Sequence, residues 1–237
     1  MKQLIIYGAG FLDIIKLIDA INEKKPEWQI IGFLDDQKEE QGKVFLGHPV
    51  LGGKELIPEL IKNKNIYFIN NCYDEAHKFR DRADLLDHYI CKVPNLIHPS
   101  IDMRYVKIGK GCILPEGCVV GGGTEIGNYV TVRLKSLISH DVKIEDYSFI
   151  GPGVTIGGCA VLKEDCFIGA GTTVLHHKIV GEKSKVGAGA VVTQNISDGI
   201  TVVGVPAKKI KRNFFKRVYR YIKKRLLKII SLLNIPS

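Results

Sequence analysis

The sequence predicts an α/β domain, then a parallel β-helix, then a basic amphipathic helix, on three observations. Aliphatic and amphipathic stretches alternate over residues 1–96. An aliphatic residue recurs at every sixth position from Ile108 to Val192. Beyond Lys208 an apolar stripe runs among clustered cations.

The first unit reads "QLIIYG", "FLDIIKLIDAINEKK", "WQIIGFLDD", "GKELIPELIKNK", "IYFINN" and "DEAHKFRDRADLLDHY". Short aliphatic runs between amphipathic helices mark βαβ units on a parallel sheet. The first run ends in Gly8-Ala9-Gly10 and the second in Asp35-Asp36. These are the places where a Rossmann-like fold puts its phosphate turn and ribose-binding acid. A complete G-x-G-x-x-G needs another glycine near position 13, and Asp13 stands there, which speaks against NAD. Two readings stay open: a tight strand-to-helix turn, or a helix N-terminus that receives the phosphate of a nucleotide sugar.

The second unit repeats without one insertion: Ile108, Leu114, Val120 and so on to Val192, fifteen aliphatics in all. Four places after each comes a second set, nearly all small, such as Cys112, Thr124, Ser136 or Ala160, and only Lys178 is plainly out of type. Glycine often follows the aliphatic (Gly109, Gly121, Gly151, Gly169), as expected of a tight corner. A chain that turns every six residues, with one large and one small side chain inward, is a triangular β-helix of three hexapeptides per coil. Cys112, Cys118 and Cys166 fall on small inward positions and read as core filler.

The third segment carries Ile210, Phe214, Val218, Ile222, Leu226, Ile229, Ile230 and Leu233 at helical spacing. Eleven Lys and Arg and no acid follow Asp198, so of the net +9 the preceding body keeps +9 − 11 = −2. One continuous stripe among cations favours an anionic membrane surface, over residues 210–233, rather than packing on a near-neutral body or binding nucleic acid. The expected domains are therefore 1–96, 97–207 and 208–237. None of the six cysteines forms C-x-x-C, and "MKQLIIYGAG" lacks a signal-peptide layout, so a reduced, cytoplasmic protein is expected.

The βαβ unit, "HPS" (His98, Pro99, Ser100) opening the repeats, a lone "HD" (His140, Asp141) and "GVPAKKI" closing them together resemble the hexapeptide-repeat nucleotide-sugar acetyltransferases. Bacillosamine N-acetyltransferase and the sialic acid O-acetyltransferase group are of this kind. The resemblance runs from about residue 3 to about 212. It implies a left-handed β-helix, against the usual crossover rule, a homotrimer, and acetyl-CoA in the groove between subunits, with no metal. It implies His140 as general base with Asp141 holding the ring, because a nucleophile attacking a thioester must lose a proton and imidazole titrates near neutral pH. Neighbours in a flat strand face opposite sides, so Asp141 assists only at or beside a corner. By position the groove would take Gly158, Ala170 and Ala188, with Val205 and Lys208 or Lys209 toward the CoA phosphates. The nucleotide-activated amino sugar would meet Gly8, Ala9, Gly10, Asp35, Asp36 and Arg133.

The pattern also departs from those relatives. Phe149 stands where a second histidine often polarises the acetyl carbonyl, leaving a backbone amide such as that of Gly158 for the oxyanion. Arg133 replaces an Asn near the acceptor, and Gly10-Phe11-Leu12-Asp13 replaces Ser-Gly-His-Gly. Two rival classes are a non-catalytic scaffold and a zinc lyase of the hexapeptide carbonic anhydrase type. His140 and His176 lie two coils apart, about 10 Å, too far to share one zinc within a chain. The third ligand of such enzymes is missing, since Gly181 closely follows His176-His177.

Overall fold

The computed structural model describes residues 1–9, 12–71 and 76–210. Gly10, Cys72 and the expected membrane-facing tail from residue 211 onward lie outside the described residues. Among the described residues no helix is long and apolar enough to cross a membrane.

The N-terminal unit is a five-stranded sheet of β1 (Lys2–Tyr7), β2 (Trp28–Leu34), β3 (Val44–Phe45), β4 (His48–Gly52) and β5 (Ile66–Asn70), in the order β3-β4-β2-β1-β5. All pairs are parallel except the β3–β4 hairpin. The run "LIIY" is buried at every position because both faces of β1 are covered. Leu4 and Ile6 pack with Ile14, Ile15, Leu17 and Ile18 of α1 (Asp13–Lys24), while Ile5 and Tyr7 pack with Ile57 of α2 (Ile57–Leu60) and Leu86 of α3 (Ala76–His88).

From β6 (Leu96–Ile97) on, the chain is a parallel β-solenoid of the left-handed type, with two-residue strands on three walls. The first wall stacks five strands from Lys107–Ile108 to Ile179–Val180. The second stacks eight from β6 on, ending in the three-residue Thr201–Val203 and an antiparallel Lys208–Lys209, and the third five from Val119–Val120 to Val191–Val192. Register advances by eighteen, as in Glu125↔Lys143 and Thr155↔Thr173. Fourteen of the fifteen repeated aliphatics are buried, and Ile108 packs half-buried against the same core.

The small inward residues are chosen by hydrogen bonding as well as size. Thr124, Ser136, Ser148 and Thr172 donate to the carbonyl fifteen residues on, as do the thiols of Cys112, Cys118 and Cys166. A buried hydroxyl without such an acceptor costs about 1–3 kcal/mol. Burial raises the Cys112 and Cys166 thiols to about 12, as it raises Cys118, so all three are unreactive filler.

The glycines after the aliphatics serve a purpose other than the one expected. Gly151 and Gly169 do not have positive φ; a Cβ there would lie 2.7 and 2.5 Å from the backbone N of Ala170 and Ala188 in the next coil. They permit stacking. The left-handed corner falls two residues later, and is held as readily by Tyr129, Asp141 or Cys159 as by Gly153 or Gly171.

Candidate active site

The corner from the third wall to the first holds the candidate site. Asp141, at φ +55, turns that corner, and this brings its carboxylate beside the preceding ring: His140 Nδ1 lies 2.8 Å from Asp141 Oδ2. The pair meets the condition set by strand geometry. Both side chains stand out from the prism, 66% and 62% exposed. A carboxylate only accepts, so the bond asks Nδ1 to donate, which in the neutral ring leaves the lone pair on Nε2.

Gly158, one coil on, forms the floor under the imidazole: a Cβ there would come within 2.6 Å of Nε2. Its carbonyl accepts from the His177 N–H at 3.0 Å, while among the described residues its own N–H makes no hydrogen bond. Cys159, which sequence reasoning passed over, stacks on Asp141 as the next corner residue, with its N–H on the His140 carbonyl at 3.0 Å. The signal was available, since 141 and 159 differ by one coil. His176 sits a further coil away and, among the described residues, joins no group of side chains able to share a metal ion with His140.

Ala170 and Ala188 lie elsewhere, exposed and stacked on the corner from the second wall to the third. Arg133 begins the same corner higher up and reaches α1, its Nη2 3.2 Å from Asp13 Oδ2. Beside this ion pair a cleft of about 320 Å³ opens between α1 and the solenoid, lined by Asp13, Lys16, Asp19, Glu23, His98 and Glu116. Val205 and Lys208-Lys209 are exposed in the closing hairpin, which the Ala207 N–H ties to the Val191 carbonyl at 2.8 Å.

The third corner, between the first and second walls, docks the N-terminal unit. Tyr129 and Tyr147 stack there and hydrogen-bond Asp87 and Asp84 of α3, and Arg80 Nη1 meets Glu164 at 2.6 Å.

Within that unit the expected nucleotide residues divide. Gly8, at φ +117, passes so close to the Asn71 carbonyl and Arg82 that no side chain fits. Asp35 is buried, and its carboxylate accepts from the Ala9 and Gln37 N–H groups, both at 3.0 Å, so it shapes the turn. Asp36 is the more exposed of the two and accepts from Tyr7 Oη at 2.7 Å. Burial, and then Asp36, push the Tyr7 hydroxyl well above its usual value. Arg82 was not foreseen: buried, it lies 3.7 Å from Asp35 and 3.5 Å from Asp36, with its guanidinium over the Tyr7 ring. Its place between Phe79, Ala83 and Leu86 on the buried stripe of α3 was the clue.

No family model matches the chain. It is 33% identical to the GDP-perosamine N-acetyltransferase of Escherichia coli O157:H7, over 88% of this chain and 96% of that one. The acetyltransferase domain of PglB from Neisseria gonorrhoeae, solved with acetyl coenzyme A, is 28% identical with a TM-score of 0.79, covering 88% of this chain and 99% of that domain. PerB from Caulobacter crescentus, solved with CoA and GDP-perosamine, shares the fold at 22% identity and a TM-score of 0.79, over 88% and 97% of the two chains. With this likeness running through both the sheet and the solenoid, the chain belongs to the hexapeptide-repeat nucleotide-sugar acetyltransferases.

Proposed function

We propose that the protein transfers the acetyl group of acetyl-CoA to the amino group of a nucleotide-linked sugar in bacterial surface-glycan synthesis, with His140 as general base. The observation that carries this is the His140–Asp141 hydrogen bond on an exposed corner, with Nε2 over Gly158. Nε2 takes the proton of the attacking amine as nitrogen bonds to the thioester carbon, and the CoA sulfur leaves with its electron pair. The Gly158 N–H is the donor for the oxyanion. An amine acceptor agrees with the name of the Escherichia coli relative.

The outer faces of the walls support a homotrimer. The first wall is charged over its first three coils (Lys107, Glu125, Lys143) and turns apolar only at Val161 and Ile179, and the N-terminal unit continues onto the second through β6. The third presents Val119, Leu137, Thr155, Thr173 and Val191, with Val119 57% and Leu137 42% exposed. An uncharged, partly apolar strip of this kind suits a second copy. The third wall lies between the His140 corner and the Ala170–Ala188 corner, so copies packed on it form a groove with the base on one side and small residues on the other. Acetyl-CoA occupies that groove, its phosphates toward Lys208 and Lys209. The nucleotide sugar binds at Gly8, Ala9 and Asp36, with Arg133 toward the acceptor. The basic tail holds the enzyme peripherally at an anionic membrane face.

The test is thiol release from acetyl-CoA with a panel of nucleotide-linked amino sugars. His140→Ala is expected to lower turnover by about 10²- to 10⁴-fold with an unchanged melting temperature. A variant turning over like the parent removes the general-base role.

A further inference from the structure

The corner that carries the base carries more than acid–base catalysis requires. An imidazole nitrogen of His140, a carboxylate oxygen of Asp141 and the Cys159 sulfur all lie within 4.8 Å of one another. We propose that these three side chains form a binding site for a zinc-class divalent cation, and that the ion silences the enzyme by capturing the imidazole.

The donor set selects the metal. Nitrogen, oxygen and sulfur together suit zinc, cobalt or cadmium, whereas magnesium and calcium take oxygen ligands. Donors at about 2.0–2.3 Å from a tetrahedral ion stand about 3.3–3.8 Å apart, so modest side-chain rotations close the observed spacing. Asp141 and Cys159 project from corners stacked by the main chain, and the Cys159 N–H to His140 carbonyl bond fixes one coil on the other. His140 and Asp141 are open to solvent and Cys159 is half-buried. By contrast, Cys112, Cys118 and Cys166 face the interior with their thiols on carbonyls, and burial lifts Cys91 to about 11. On binding, the Cys159 thiol gives its proton to solvent and its sulfur ligates as thiolate, while His140 ligates as neutral imidazole. The protein supplies three ligands and leaves a fourth position to water. The inhibitory half of the proposal rests on the function proposed above; the binding half does not.

Cobalt(II) added to the chelator-treated full chain tests it. We expect one cobalt per chain and a strong thiolate-to-cobalt absorption that zinc abolishes. Cys159→Ser should lose that absorption and tolerate about tenfold more zinc in the thiol-release assay, with ordinary turnover in its absence. His140→Ala should keep the absorption but need about tenfold more cobalt. Full absorption in Cys159→Ser, or none in the parent, overturns the site. Absorption present in a protein that releases no thiol leaves the site standing and refutes the acetyltransfer reading instead.

Discussion

The solenoid and the N-terminal sheet both bury polar side chains, but they bury them differently. In the solenoid the buried hydroxyls of Thr124, Ser136, Ser148 and Thr172 repeat one bond, to the carbonyl fifteen residues on. In the sheet unit the buried groups converge instead. Asp35 holds the Ala9 N–H, Asn71 donates to the Gly8 carbonyl, and Arg82 lies against Asp35 and Gly8. Polarity that repeats belongs to the scaffold. Polarity that converges marks a place shaped for something, here the turn that opens α1.

The sharpest challenge to that contrast uses two glycines of one coil. Gly169→Val drives a side chain into the Ala188 backbone and is expected to cost about 3 kcal/mol or more, whereas Gly171→Asn, at φ +65 with open space around it, should be nearly neutral. Urea unfolding followed by far-ultraviolet dichroism checks both; equal losses would deny that the two glycines do different jobs. Next in size is Arg82→Met, which leaves Asp35 and Asp36 without their nearby cation and should destabilise the sheet unit by about 2–3 kcal/mol. The single tryptophan, Trp28, lies in β2, in a core that also takes in Leu96 and Ile113 of the solenoid, so its fluorescence transition should move to lower urea, with a smaller shift in the solenoid signal. The smallest effect is alkaline. Cys112 and Cys166 ionise near 9 when unfolded but near 12 in the fold, so their contribution is complete below pH 9 and fades as pH climbs toward 12. Between pH 8 and 10 each thiol should remove about 1 kcal/mol, read as a falling melting temperature that is smaller in Cys112→Ala.

The solenoid was legible because its contacts repeat: a residue's neighbour is the one eighteen places away, and burial follows from counting. The same count left the corner as a condition for His140 and Asp141 and, carried one coil further, would have put Cys159 beside them. It did not reveal why Gly151 or Gly169 is glycine, since a close approach of backbones leaves no periodic trace of its cause. The sheet unit was legible as alternating elements, but not in its interior. Arg82 reaches Asp35 across 47 positions of chain, and Tyr129 reaches Asp87 across 42. Such pairs follow from how elements dock, which no local pattern encodes.

The eighteen-residue register also governs how such a chain can change length. Adding one hexapeptide ahead of His140 would keep every aliphatic inward yet advance all later residues by one wall, carrying the His–Asp pair to the corner where Tyr129 and Tyr147 now meet α3. Only whole coils can be gained or lost without moving the chemistry to another edge. Descent in this architecture should therefore proceed in lengths of eighteen, with shorter insertions confined to loops that leave the stack and return to it.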